Sequence, residues 1–490
     1  VKAELHYGHA HTRVVGPREA VAAVRHLLTV DDPNKWRSPK FRSGEWDGKH
    51  RFYRWQRRTR TLSYPTGLTE WLIRQAEEDG LTLTARGVPP PAPRPTIPPD
   101  YLDGITLRPY QLWALRRALP ARRGVLKLSP RSGKTEIQIA VAKYLGVPSV
   151  LLVHSQHLLE QHYERFRARG LTDVGRYGRG HRELSAQHVI AMVQTLSPRL
   201  RRQDPTALRF LASRELLQSD EAHHLSAASW RRIFRESEAP WRYAYSGTPL
   251  RARGGSYEPQ DLRLIGAAGP LLVDVGAAYL RDLGYLAPAE LYMIPLTEPK
   301  VPPKLPFPTV YREGIVEHAV RNALVLQTVR SMVQEQRRVL VLVTQVRHGL
   351  GLLEAMAAAG LEPVLSIGGR RKATLRDGAR RWSEFTAEDL ARFRSGERPI
   401  LIGTTVFDEG VDFPWLDGLV NAGGQKSSIA TLQRTFRALT PSDGKRTVRV
   451  VDFFDRHHRW LRDHSKERES LYRAEELPVT IGAPARGGLP

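Results

Sequence analysis

Hydrophobic positions along the chain form short runs, separated by longer stretches in which apolar residues recur every three or four positions. Gly124 to Leu128, Ser149 to Val153, His188 to Val193, Leu216 to Ser219 and Tyr243 to Ser246 read as short buried strands. A second series has the same character: Leu291 to Pro295, Val339 to Val343, Pro363 to Ile367, Ile400 to Thr404, Gly418 to Asn421 and Thr447 to Val451. Helix-like segments lie between most of these runs. Strands alternating with helices predict an α/β protein with parallel sheets, here two in tandem.

Proline punctuates the pattern. The stretch from Pro89 to Pro99 is extended and stiff, because proline fixes φ and donates no backbone hydrogen bond. A second cluster runs from Pro299 to Pro308. The expected organisation is a small α+β domain over 1–88, a linker over 89–106, a first large domain over 107–296, a linker over 297–310, a second large domain over 311–471, and a loose Gly- and Pro-rich tail over 472–490. With 490 residues the chain exceeds the roughly 250–300 that one hydrophobic core sustains.

Composition changes the picture in three ways. Lys and Arg number 75 against 51 Asp and Glu, a formal charge of +24, which points to a polyanionic partner; the alternative reading is that an Arg-rich genome or a hot habitat inflates arginine. Cysteine is absent, which excludes disulfides, thiolate zinc sites and cysteine nucleophiles. No apolar run approaches the ~20 residues that span a bilayer, and the first residues lack a secretory pattern, so no membrane partner and a cytoplasmic location, in a bacterial or phage-infected cell, are expected. His6, His9 and His11, and His457, His458 and His464, lack the spacing of a zinc site.

Chemistry concentrates at strand ends. Ser129-Pro130-Arg131-Ser132-Gly133-Lys134-Thr135 follows one predicted strand and precedes a helical stretch, the context of a phosphate-binding loop. In that reading Lys134 neutralises the β and γ phosphates of ATP and Thr135 offers its hydroxyl to Mg²⁺. Leu128 stands where such loops usually begin with glycine. Asp220-Glu221-Ala222-His223 follows another strand; Asp220 would hold Mg²⁺ and Glu221 would orient or deprotonate the attacking water. Ser246-Gly247-Thr248 ends the next strand and brings hydroxyls to the same edge.

Taken in order, these segments resemble those of superfamily 2 helicases, from about Leu107 to Asp455. Leu107-Arg108-Pro109-Tyr110-Gln111 is similar to the adenine-recognising segment, His154-Ser155-Gln156 with Gln161 and Gln194-Thr195-Leu196 to the DNA-backbone motifs, and Val341 to Gly349 to motif IV. Thr404 to Asp412 resembles motif V and Gln433-Arg434-Thr435-Phe436-Arg437 motif VI. The resemblance implies two tandem RecA-like domains and ATP hydrolysis with Mg²⁺. Lys134, Glu221, Gln433 and Arg437 would be catalytic, and Gln111, Ser132, Gly133, Thr135, Asp220, Gly410 and Asp412 would contact the nucleotide and its metal. Ser155, Gln161, Thr195, Thr344 and Thr405 would grip nucleic acid, with His223, Ser246 and Thr248 coupling the two events. Phe436 and Thr440 depart from motif VI, where glycine and a second arginine are usual, leaving Arg437 as the expected finger, with Arg434, Lys445 or Arg446 as alternatives.

Within the superfamily the likeness is to phage UvsW-type helicases and, more distantly, to XPB and RadD. It rests on Asp282 to Pro288, Arg321-Asn322, Val450 to Asp455, and Glu45 to Lys49 with Arg51-Phe52-Tyr53. This implies a monomeric helicase or translocase acting on forked or branched duplex and single-stranded DNA, with 3′ to 5′ movement, in fork regression, branch migration or unwinding during recombination, repair or replication. An RNA helicase and a slowly hydrolysing, ATP-gated remodelling factor are the alternatives. Basic and aromatic residues interleave from Trp36 to Arg60, as in nucleic-acid-binding domains, although inward-facing aromatics would give the same pattern. Asp47-Gly48-Lys49 has nuclease-like spacing without an evident acidic partner.

Overall fold

In the computed structural model the apolar runs form two large, mostly parallel sheets, and residues 2–250, 257–367, 371–376, 378–404, 415–424, 439–441 and 447–484 are described. The chain divides into two units, Val1–Val275 and Gly276–Pro490.

The first unit holds a small five-stranded sheet, a two-stranded ribbon of Thr29–Asp31 and Lys49–Arg51, and a large sheet. The small sheet has the order Arg54–Gln56, Thr61–Pro65, His11–Val15, Lys2–His6, Thr82–Arg86, with only the last pair parallel. Alternating burial in His11–Val15 and Thr61–Pro65 shows why: one face is covered and the other is not. Helices Arg18–Leu27 and Thr69–Glu78 supply the cover, and Leu5, Val24, Leu62, Leu68 and Leu72 form its core. The expected small α+β domain is present.

The large sheet of this unit runs His181–Arg182, Val174–Gly178, His188–Met192, Ser149–Val153, Leu216–Ser219, Trp241–Ser246, Arg123–Leu128, Leu271–Val275. All pairs except the first are parallel. Its central strands are buried on both faces and appear in the sequence as mostly apolar runs, with Gln218 and Ser219 the buried polar residues of the middle strand. Gly67 marks where the small domain meets this lobe: a Cβ there would lie 1.9 Å from the Ile265 carbonyl oxygen, so only glycine allows the approach. Arg123 ties the same seam by donating to Tyr7 Oη (3.2 Å) and the His9 carbonyl (2.9 Å).

The second unit is built on a nine-stranded sheet among the described residues: Ala379–Ser383, Arg371–Arg376, Val364–Ile367, Ile400–Gly403, Val339–Leu342, Gly418–Asn421, Val448–Asp455, Ala289–Leu296, Val479–Ile481. Two expectations need correction. Ala289–Leu296 pairs with Val448–Asp455, so this strand belongs to the second sheet, whereas the first large domain was expected to run to residue 296. The tail is not wholly loose, because Val479–Ile481 pairs with Leu291, Tyr292 and Met293.

A buried polar network lies under this sheet. Asp452 accepts from Arg468 Nε (2.9 Å), Tyr472 Oη (2.9 Å) and Asn421 Nδ2 (3.0 Å), while Arg321 Nε donates to Asp455 (2.9 Å). Arg468, Asp452, Arg321 and Asp455 are all fully buried. Thus Arg321-Asn322 and Val450 to Asp455, two of the segments singled out in the sequence, meet in one place. Asn322 also accepts from His348 Nε2 (3.0 Å), which leaves His348 Nδ1 buried without a hydrogen bond and the ring neutral.

Burial, and then the charge of Arg321, push the His348 pKa down to about 3. The unfolded value is ~6.5, so its contribution to stability is complete above that pH and is lost as pH falls toward the folded value, at ~1.4 kcal/mol per pH unit. Urea unfolding of the second unit at pH 7 and pH 5 is therefore expected to show a lower midpoint at pH 5. His348→Gln, which can keep the bond to Asn322, is expected to reduce the difference.

Candidate active site

The parallel strands of the first large sheet end at one edge, and their loops carry the predicted chemistry. From Arg123–Leu128 the chain turns through Ser129 to Gly133 into helix Lys134–Leu145. Gly133 sits at φ +74°, and a Cβ there would come within 2.3 Å of Gln111 Nε2. Glycine thus serves both the turn and the close approach. Gln111 braces the loop, donating from Nε2 to the Ser132 carbonyl (2.9 Å) and accepting from the Arg108 backbone N–H (2.8 Å). Tyr110 Oη donates to the same carbonyl (2.7 Å). Gln111, expected to read a base edge, is thus also a support of the loop.

Asp220 and Glu221 follow Leu216–Ser219, two positions across the sheet from the loop's strand. Lys134 Nζ lies 2.9 Å from Glu221 Oε1. Asp220 is buried and accepts from Gln138 Nε2 (3.0 Å) and pairs with His162 Nε2 (3.2 Å). Burial alone would raise the Asp220 carboxyl, but His162's hydrogen bond and charge, with Lys134 and Gln138, reverse this and hold it well below the usual carboxylate range. Burial likewise opposes ionisation of Glu221, and Lys134 and His223 overcome it. Both carboxylates are therefore charged. Glu221 occupies the left-handed region (φ 52°), a conformation that costs a non-glycine residue about 1–3 kcal/mol and recurs at functional sites.

His223 Nδ1 stands 3.4 Å from both Glu221 Oε2 and Ser246 Oγ, and Ser246 Oγ accepts from the Thr248 backbone N–H (3.2 Å). The three predicted coupling residues are thus contiguous with Glu221. A row of rings continues from them: His223 to His224 (4.2 Å between centroids) and His224 to His154 (4.9 Å), with Trp230 stacked on His224 at 5.4 Å.

That row reaches the predicted nucleic-acid segments. Ser149–Val153 and His188–Met192 are parallel neighbours, so their following loops are adjacent. Gln194 Nε2 donates to the His154 carbonyl (2.6 Å) and binds the loops together. Ser155 caps helix Gln156–Ala168, its Oγ accepting from the Leu158 N–H (3.2 Å); Gln161 is exposed on that helix and Thr195 half-buried near the start of the next. In the second unit Thr344 follows strand Val339–Leu342, and its hydroxyl is hydrogen-bonded to Tyr311 Oη.

The site suits a nucleoside triphosphate on one further observation. Ser132 Oγ is fully buried in the loop and has no hydrogen-bond partner among the described residues, at the mouth of a twelve-residue helix whose first N–H groups attract anions.

Comparisons with known proteins bear on the whole arrangement. Residues 104–251 match the family model for the type III restriction enzyme, res subunit, and residues 321–440 that for the helicase conserved C-terminal domain. The chain belongs to superfamily 2 of the helicases. The DNA 3′-5′ translocase XPB2 of Sulfurisphaera tokodaii is 24% identical to this helicase over 387 residues, 70% of this chain and 81% of that one. Among solved structures, the type ISP restriction-modification enzyme LlaBIII bound to DNA aligns with a TM-score of 0.55 at 13% identity, over 79% of this chain and 32% of that one, which bears on the fold. UvsW of bacteriophage T4 aligns over 98% of this chain and 99% of that one, at 17% identity and a TM-score of 0.46. The helicase is thereby an ATP-dependent enzyme that translocates on nucleic acid, as the order of its motifs led one to expect.

Gln433, Arg437, Gly410, Asp412 and Thr405 lie outside the described residues of the helicase, as does Phe436. The sequence reading missed Gln138, His162, His154 and His224. Of these only His154 stood inside a recognised segment; Gln138 and His162 are helix residues whose relation to Asp220 exists only in three dimensions. In the small domain, Phe52 is core while Trp36 is 68% exposed, so the aromatics divide between the two readings. Asp47 is held by Arg51 and by the Lys49 backbone N–H (3.1 Å). Among the described residues no cluster of three or more His, Asp or Glu could hold a metal ion, and no helix is long and apolar enough to cross a membrane.

Proposed function

We propose that this helicase uses ATP to move along DNA and remodel branched structures, by fork regression, branch migration or unwinding, in recombination, repair or replication. The observation that carries the ATP part of the reading is the Lys134–Glu221 pair over the phosphate loop, beside a buried, ionised Asp220. Thr135 and Asp220 would hold Mg²⁺, which supplies charge neutralisation of the phosphates when bound. Lys134 exchanges its carboxylate partner for phosphate oxygens; Glu221, released from it, orients the attacking water and accepts its proton. His223 and Ser246 relay the change at Glu221 toward His154 and the Ser155 and Thr195 segments. Arg437 is the proposed finger, and Thr344 and Thr405 are proposed backbone contacts of the second unit. The relative named a DNA 3′-5′ translocase supports DNA as substrate and 3′ to 5′ movement.

Steady-state ATPase rates with single-stranded, duplex and forked DNA and with RNA test this. Forked DNA is expected to stimulate most, and Lys134→Ala to lower the stimulated rate by about 10² or more, the scale of losing one preorganised phosphate contact. Equal rates with and without every polymer would sink the motor reading, and stimulation by RNA alone would reassign the substrate.

A further inference from the structure

A cavity of about 400 Å³ lies along the seam between the small domain and the first large sheet, within the first unit. The small domain contributes Arg51 and Arg54 to its wall. The other wall is helix Ala228–Glu236, which follows the Asp-Glu-Ala-His turn, together with helix Pro259–Ala268 and Arg242. These bring Arg231, Arg232, Arg235, Arg242 and Arg263. His11, His50 and Tyr53 add to its polar lining, and among the described residues none that lines it is Asp or Glu.

Counter-charge is scarce here. Arg51 pairs with Asp47 and Arg235 with Glu236, both at the surface. Arg54, Arg231, Arg232, Arg242 and Arg263 make no ion pair with a carboxylate among the described residues; Arg242, 1% exposed, donates only to the backbone carbonyls of Phe234, Ser237 and Ala239. Arg263 Nη2 meets His50 Nδ1 (2.8 Å), and the other ring nitrogen of His50 is paired with Asp32. Burial, then Arg263 and Arg235, push the Arg231 guanidinium down, and burial, then Arg54, Arg242 and Arg235, push His11 down. Proteins seldom gather this much positive charge around a cavity without an anion to meet it.

A second cavity of about 260 Å³ shares one wall residue, Arg232, with the first, and its wall includes Gln194, Ser197, Arg201 and Trp230, beside Thr195. A single free phosphate compound fills one pocket; two pockets sharing an arginine along one helix suit a chain of phosphates.

We propose that the arginine-lined seam is a second nucleic-acid site, which holds the phosphodiester backbone of a DNA arm and leads it to the Thr195 segment. This rests on the DNA-motor reading and adds to it a place where the small domain and the first large domain grip one arm together. Guanidiniums suit it, since each offers planar paired donors to phosphate.

The test is DNA binding by the full chain as a function of salt, followed by anisotropy of a labelled forked duplex. The logarithm of affinity falls with the logarithm of salt at about 0.9 per phosphate contact. Replacing three partly exposed lining residues, Arg54→Gln with Arg232→Gln and Arg235→Gln, is expected to reduce that slope by ~2–3 and weaken binding at least about tenfold. A protection measurement needs no charge change. The chain has no cysteine, so Ala228→Cys places a unique thiol on the exposed cavity wall, and DNA is expected to slow its maleimide labelling several-fold. Wild-type slope in the folded triple variant, or labelling indifferent to DNA that is bound, overturns the site alone. Protection by pyrophosphate but not by DNA overturns it in favour of a small phosphate ligand. A wild-type chain that binds no DNA overturns the motor reading and this site with it.

Discussion

Glu221→Gln is expected to lower DNA-stimulated ATP hydrolysis by about 10²–10⁴, the usual contribution of a positioned general base, while leaving ATP binding intact or tighter. The asymmetry follows from the geometry. Glu221 is charged and lies 2.9 Å from Lys134 Nζ, so before nucleotide arrives the lysine is already engaged. The amide keeps the shape of the side chain but cannot accept a proton from water, and it holds an ammonium less strongly than a carboxylate does. Lys134 is then freer to meet phosphate. Turnover at saturating DNA, together with the Kd of a fluorescent ATP analogue, separates the two effects. Unchanged turnover would remove Glu221 from the proposed base role, whereas loss of both binding and turnover would indicate damage to the loop. The left-handed backbone at residue 221 makes the glutamine variant preferable to alanine, because the carbon skeleton is retained where conformation is least tolerant.

Arg468→Met is expected to cost the second unit about 3–5 kcal/mol, the penalty of leaving a buried charge without its partner. Arg468 and Asp452 are fully buried, joined from Nε at 2.9 Å and Nη2 at 3.0 Å, and Arg468 also donates to the Phe453 carbonyl (2.8 Å). Methionine fills much of the volume, so the loss is electrostatic rather than a cavity. For a unit of this size the melting midpoint would fall by about 6–20 °C. Arg468→Lys, which keeps the charge but lacks the planar fork, should lie between. Thermal unfolding monitored by circular dichroism decides this, and a midpoint within a degree or two of wild type would show that the network adds little. The functional reach of the network is local: Arg321 Nη1 donates to the Ala422 carbonyl (2.6 Å) at the end of strand Gly418–Asn421. Ala422 stands a few residues before the stretch that contains Gln433 and Arg437.

Much of this architecture was legible because strands of a parallel sheet covered on both faces are mostly apolar. Val150 to Val153 and Val339 to Leu342 could hardly be read otherwise. Arg371–Arg376 and Ala379–Ser383 escaped because charged residues interrupt any apolar run, and the second of these strands is exposed along its length. Val174–Gly178 contains two glycines and an arginine and presents no apolar run. The boundary at residue 296 has a different cause: Leu291 to Pro295 falls in the second series of strands, where it pairs, but the prolines from 299 onward draw the domain boundary to its far side.

The candidate site divides in the same way. Lys134, Thr135, Asp220 and Glu221 were readable because short contiguous motifs sit directly at strand ends. Gln138 and His162, which help hold Asp220 ionised, lie in helices with no local signature. The seam was less accessible still, since its arginines are scattered from Arg51 to Arg263 and become neighbours only when the small domain docks.

The short strand Val479–Ile481 has a consequence beyond the boundary it corrects. It occupies the outer hydrogen-bonding side of Ala289–Leu296, a strand eight residues long. Without it, that strand would present a row of unpaired backbone donors and acceptors, a template for pairing with another chain. Val479–Ile481 covers Leu291 to Met293 and makes a three-residue strand the outer edge of the sheet, so a protein lacking it is expected to self-associate more readily.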